Sequence, residues 1–261
     1  MNLEDRPIGF FDSGVGGISV LKEAIKILPR EDYIYFGDSK NAPYGTRSVE
    51  EVKILTFNAV DYLIKKNAKA LVIACNTATS AAITDLREKY SNHMPVIGIE
   101  PALKPAVEYN RKGKIIIMAT PMTLAEAKFN NLMENYKDRA EITPLPCPGL
   151  VELIEEGIIE GEEVNKYLYE KVEPFKKTGV AAIVLGCTHY PFIKKELSIV
   201  LENKVPIIDG SMGTAKQLKR QLLEYNIISK RKEAGKVEIS NSLNDDDEII
   251  NLSYRLLGLN E

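Results

Sequence analysis

Short apolar runs alternate along this chain with stretches whose apolar residues recur every three or four positions. Runs that read as strands fall at residues 8–11, 33–36, 70–74, 96–99, 114–119, 141–145, 181–185, 205–208 and 236–239. Most are separated by helical patterns: Ile18, Leu21, Ile25 and Leu28 share one helical face, as do Val52, Leu55, Ala59 and Leu63. Strands that are apolar throughout and alternate with helices predict an α/β fold with mainly parallel sheet covered on both faces. In such sheets, ligands bind beyond the carboxyl ends of the strands.

The pattern also repeats. ALVIACNTATSA (residues 70–81) and AIVLGCTHYPFI (182–193) each carry an apolar run into a cysteine and then to small hydrogen-bonding residues. Superposing them pairs Val72 with Val184 and Cys75 with Cys187. At nearly the same offset PVIGIE (95–100) falls on PIIDGS (206–211), and PIGFFDSG (7–14) can be laid on KIIIMATP (114–121). That last pairing sets Asp12 and Ser13 beside Ala119 and Thr120. Two similar α/β domains related by a pseudo-two-fold are therefore expected, with the active site in the cleft between them. Residues 1–97 and 208–261 would form a discontinuous first domain, and 98–207 the second.

The two cysteines then face one cleft. A thiol at the start of a helix lies near free backbone N–H groups and the positive dipole end, which predicts a pKa lowered toward neutrality. Two thiols on opposite walls suit proton removal from one face of a carbon and delivery to the other, which requires neither metal nor cofactor. Asn76, Thr77 and Thr188, with amides at helix N-termini, suit a carboxylate. FFDSGVGG presents Asp12 and Ser13 at a strand end, followed by a glycine turn; it lacks the lysine of a phosphate loop, and Asp12 suits an ammonium group. The turn-rich segment 37–48 can present Pro43, Tyr44 and Gly45 to a ligand. His189 either packs as a loop histidine or assists Cys187. Glu152, on a helix after a Cys-Pro-Gly turn, reads by itself as a surface charge. Cys147 reads as structural, His93 as a solvated loop residue, and the run 244–248 (NDDDE) as a solvated turn and helix start.

Composition narrows the class. The chain has 261 residues, 44% apolar and 27% charged, which is the make-up of a globular protein. A net charge of -3 argues against nucleic acid as a partner. No apolar run approaches the length of a membrane span, and MNLEDRPIGFF has acids where a signal peptide carries lysines. The expected location is the cytoplasm, and three cysteines without a CxxC pair argue for free thiols.

FDSGVGG, GDSKNAPYGTRS, ACNTATSA and LGCTHYP together resemble the signature segments of bacterial glutamate racemases, in the cofactor-independent aspartate/glutamate racemase superfamily. The resemblance runs from the first strand to the last helix. It implies two α/β domains, interconversion of L- and D-glutamate and a supply of D-glutamate for peptidoglycan, with no cofactor or metal. Matched position by position, it makes Cys75 and Cys187 the two acid/bases, the first acting on the D-enantiomer and the second on the L-enantiomer. It makes Asp12, Ser13, Pro43, Tyr44, Gly45, Asn76, Thr77, Thr120, Thr188 and His189 substrate contacts. Asp12 would support the first cysteine, and Glu152 and His189 the second. A homodimer is expected, with no nucleic-acid or membrane partner. No extension like that of relatives activated by a UDP-linked muramyl peptide precedes the first strand, so no such activation is expected. Met122, Glu126 and Phe129 depart from the residues common in the family. An aspartate-specific racemase and a non-catalytic binding protein on the same scaffold are the competing readings.

Overall fold

The computed structural model describes residues 2–125, 127–176, 179–243 and 247–258, apart from the side chains of 127–129 and 132. It contains nine strands among these residues: β1 (Ile8–Asp12), β2 (Tyr33–Gly37), β3 (Ala70–Ile73), β4 (Val96–Gly98), β5 (Lys114–Ala119), β6 (Ile142–Pro146), β7 (Val180–Leu185), β8 (Ile207–Asp209) and β9 (Val237–Asn241). They form two sheets, ordered β4-β3-β1-β2-β9 and β6-β5-β7-β8. Every pairing is parallel.

The first four strands of one sheet and the four of the other have the same order, and their registers correspond. Phe11 pairs with Ile73 as Met118 does with Leu185, and Ile73 pairs with Gly98 as Leu185 does with Asp209. These are the residues that the sequence repeat superposes. The strand expected at 205–208 begins at Ile207 and runs to Asp209, so the chain leaves the second sheet after that residue.

Each sheet buries both faces, as continuous apolar strands require. In the first, Ile8, Phe10, Tyr35 and Val72 point to one core, and Phe11, Ile34, Leu71 and Ile73 to the other. This is the period of two of a pleated strand. The first helix, α1 (Ile18–Ile27), buries Ile18 and Leu21 in the former core, where the helices Ser211–Glu224 and Asp247–Leu257 join it. The next, α2 (Val49–Lys65), covers the other face with Val52, Ala59 and Leu63. Its start is fixed by a capping box: Ser48 Oγ accepts from the Glu51 N–H at 3.3 Å, and the Glu51 carboxylate accepts from the Ser48 N–H at 3.0 Å. Asp247 and Glu248 open the last helix, while 244–246 of that acidic run lie outside the described residues. Among the described residues no helix is long and apolar enough to cross a membrane.

Candidate active site

Cys75 and Cys187 each stand two residues beyond equivalent strands, β3 and β7. Cys75 is the N-cap of α3 (Asn76–Tyr90): its sulfur accepts from the Ala78 N–H at 3.4 Å and its thiol donates to Ser13 Oγ at 3.5 Å. The expected lowering of its pKa is not what the structure produces. Burial, reinforced by the negative charge of Asp12, pushes the Cys75 thiol up to about 12, and the Ser13 and Ala78 contacts only oppose this. A helix end lowers a thiol's pKa only when it outweighs desolvation, and here it does not.

Asp12 ends β1 and is completely buried. Its Oδ1 accepts from the Gly14 N–H at 2.9 Å and its Oδ2 from the Thr188 hydroxyl at 2.8 Å. Burial raises its pKa, against the opposing charge of His189. With both oxygens engaged in these hydrogen bonds, Asp12 is not among the residues that line the pocket at the thiols.

The glycine turn after Asp12 is a seat for the other half of the molecule. A Cβ on Gly14 would overlap the Glu155 carboxylate, and one on Gly16 would overlap the His189 ring. His189 is buried, its Nδ1 3.7 Å from Cys187 Sγ and its Nε2 2.5 Å from Glu155 Oε1. Glu155 Oε1 also accepts from the Val15 N–H at 2.7 Å, and Oε2 from the Ser39 hydroxyl at 3.0 Å. Burial alone would lower the His189 pKa, but its contacts with Cys187 and Glu155 prevail and hold it well above the ordinary value. For Glu155, burial works upward, yet the His189 hydrogen bond and charge, with the Val15 and Ser39 donors, bring it below the usual carboxylate range. The two directions agree on an ion pair.

That pairing corrects the place given to Glu152, which is exposed. The helix Leu150–Glu155 buries Leu150, Val151 and Ile154. Glu155 follows Val151 by four residues and shares its face, whereas Glu152 lies one position further round toward solvent. The three-to-four spacing was the available signal.

The two thiols line one small, tightly closed-down pocket between the halves, with room for about 10 Å³ in this structure. Besides Cys75 and Cys187, its walls are Ser13, Pro43, Tyr44, Gly45, Asn76 and Thr77 from one side, and Thr120, Val151, Thr188 and His189 from the other. Val151 is an apolar wall that sequence reasoning did not single out, and its apolar run offered no distinguishing mark. The Thr77 hydroxyl meets those of Thr120 at 3.3 Å and Thr123 at 3.1 Å, joining the two halves at the rim. Tyr44 donates to Asp38 Oδ2 at 2.7 Å, which holds the segment 37–48 in place. Asn76 Oδ1 is buried and accepts no hydrogen bond among the described residues, a costly arrangement that a ligand donor would relieve. Met122 packs against the core that contains Tyr44 and Cys75; Glu126 and the Phe129 side chain lie outside the described residues. Cys147 is buried beside Leu150 and Tyr190, its thiol pushed up to about 12 by burial, and His93 is exposed. No three His, Cys, Asp or Glu side chains among the described residues converge as a metal site.

Residues 14–218 match the family model for Asp/Glu/Hydantoin racemase. A glutamate racemase from Clostridium kluyveri is 69% identical over 257 residues, covering 98% of this chain and 99% of its own. Among solved structures, glutamate racemase isoform RacE1 from Bacillus anthracis is 32% identical with a TM-score of 0.87, covering 98% of this chain and 95% of its own. The glutamate racemase from Francisella tularensis, in complex with D-glutamate, is 30% identical with a TM-score of 0.83, covering 98% of this chain and 94% of its own. An isomerase of the amino-acid racemase type, the chain belongs to the Asp/Glu/Hydantoin racemase family and, within it, to the bacterial glutamate racemases.

Proposed function

We propose that this enzyme interconverts L- and D-glutamate by moving a proton between the α-carbon and two cysteines, Cys75 and Cys187. The observation that carries the reading is the pair of thiols at equivalent strand ends of two similar halves, lining one pocket. The relative bound to D-glutamate supports the choice of substrate.

In this reading Cys75 as thiolate takes the α-proton of D-glutamate while the Cys187 thiol delivers one to the opposite face; the reverse reaction exchanges the roles. The α-hydrogen is a very weak acid, so the developing negative charge needs fixed dipoles. The N–H groups at the start of α3, with Asn76, Thr77 and Thr188, hold the α-carboxylate and supply them. Asp12 keeps Cys75 a poor acid and hence a strong base once ionised. Exclusion of water once substrate fills the pocket strengthens each of these interactions. Because the products are enantiomers, the equilibrium constant in achiral solvent is one. The product D-glutamate would serve peptidoglycan synthesis in the cytoplasm.

The test is incubation with L-glutamate in D2O, following optical rotation and the α-proton NMR signal together. Parallel loss of both is expected. Persistence of both in folded, reduced enzyme, with loss on L-aspartate instead, would transfer the reading to aspartate.

A further inference from the structure

Glu155 belongs to the half built on the second sheet, yet two of the three donors on its carboxylate, the Val15 N–H and the Ser39 hydroxyl, come from the half built on the first. Behind Ser39 stands Asn241, the last residue of β9, whose Nδ2 donates to Ser39 Oγ at 2.9 Å. Asn241 is only 4% exposed, and its Oδ1 accepts from the Leu243 N–H at 3.0 Å.

These contacts determine where the protons lie. A backbone N–H can only donate, so Leu243 fixes which end of the Asn241 amide is oxygen and turns Nδ2 toward Ser39. An amide NH2 can only donate, so Ser39 Oγ accepts there and has its one proton free for Glu155. Glu155 then receives protons from Ser39 and Val15, which favours its ionised form and places the proton of the short contact to His189 on Nε2. Nδ1 is left as the ring atom that faces Cys187 and can exchange a proton with it.

The carboxylate has an alternative. It also borders a surface pocket whose other walls include Glu156, Glu248, Leu252 and Arg255. Released from Ser39, it could turn toward the Arg255 guanidinium and away from the imidazole. Other titratable groups that interact with this pair are Asp12 at the end of β1, Tyr35 on β2 and Cys187 itself.

We propose that Ser39 and Asn241 are positioning residues for Cys187: they hold the Glu155 carboxylate on His189 Nε2 and so tie the imidazole's proton and orientation to contact between the two halves. The catalytic part of this rests on the two-cysteine reading; the positioning part does not. Ser39 is not among the residues that line the pocket at the thiols.

The chain has only two histidines, His93 and His189, so ring NMR reads His189 without ambiguity. In Ser39→Ala the His189 titration midpoint is expected to fall and kcat to drop about tenfold with KM unchanged, the scale of one hydrogen bond to a charged group. Asn241→Ala should move both in the same direction by less, and Ser39→Thr, which keeps the hydroxyl, should restore them. In a Glu155→Gln background, adding Ser39→Ala should cost nothing further. An unchanged His189 midpoint in Ser39→Ala, or an undiminished further loss in Glu155→Gln, would overturn the proposal, since Ser39 would then act through the 37–48 loop. A wild-type enzyme that does not racemise glutamate would refute the substrate reading alone, because the His189 titration still decides this one.

Discussion

The two cysteines stand at matching positions of matching sheets, yet the walls around them are unlike. Cys75 has uncharged neighbours, Ser13 and the Ala78 N–H, and its nearest charge is the like-signed Asp12. Cys187 faces an imidazole whose far nitrogen is held by a carboxylate. One thiol is thus kept protonated by its surroundings, and the other is offered a proton partner. The difference shows what the repeat does and does not specify. Register and strand order place the two sulfurs, but the groups that govern their protons are completed across the cleft: Asp12 by Thr188, and Glu155 by Val15 and Ser39.

Deleting either thiol is the most severe way to break that comparison. Cys75→Ala and Cys187→Ala should each lower turnover by roughly 10²–10⁴-fold, the range for loss of a positioned acid or base, with melting temperatures little changed. Near-normal turnover by either variant would remove the two-base mechanism. The same variants sharpen the contrast between walls: the His189 ring titration should fall in Cys187→Ala and stay in place in Cys75→Ala.

A pH experiment probes the Cys75 wall alone. Removing the charge in Asp12→Asn should shift the Cys75 thiolate absorbance midpoint downward from about 12, measured in a background lacking the other two thiols. An unmoved midpoint would assign the whole effect to burial. Stability carries the same sign. Because the Cys75 pKa in the folded chain is raised from 9.0 to about 12, its contribution is intact below pH 9 and is lost as pH rises toward 12. Cys75→Ala should flatten that part of the stability curve in denaturant titrations.

Cys147→Ala should have the smallest effect. The sulfur packs beside Leu150 and Tyr190 in the core next to Cys187, so its loss should cost on the order of 1 kcal/mol of stability while racemisation stays normal. A folded but inactive variant would show that the third thiol has a part in the chemistry.

Much of this was legible in the chain itself, for physical reasons. Parallel strands buried on both faces leave unbroken apolar runs, so all nine strands could be located, and the internal repeat holds the cysteine segments in matching register. What the chain did not display is which side chain meets which across the cleft. Glu152 and Glu155 differ only in helical phase, and that phase matters because Gly14 clears room for one carboxylate from the opposite half. The pKa of Cys75 escaped for a similar reason: its helix end was visible, but neither the depth of its burial nor the nearness of Asp12 could be read from spacing.

Order of synthesis and order of completion run opposite to one another here. By Asp209 the ribosome has delivered every strand of the second sheet, while the first sheet still lacks β9. One face of the first core still lacks Leu218 and Leu222 and, later, Ile249, Leu252 and Leu256, so Ile8, Phe10 and Val72 wait beneath an open apolar surface. The half begun first is finished last, and a nascent chain halted between these points presents that surface to chaperones and proteases. Asn241 arrives on the same late strand. An unfinished chain therefore lacks the polar anchor behind Ser39 as well as its hydrophobic cover.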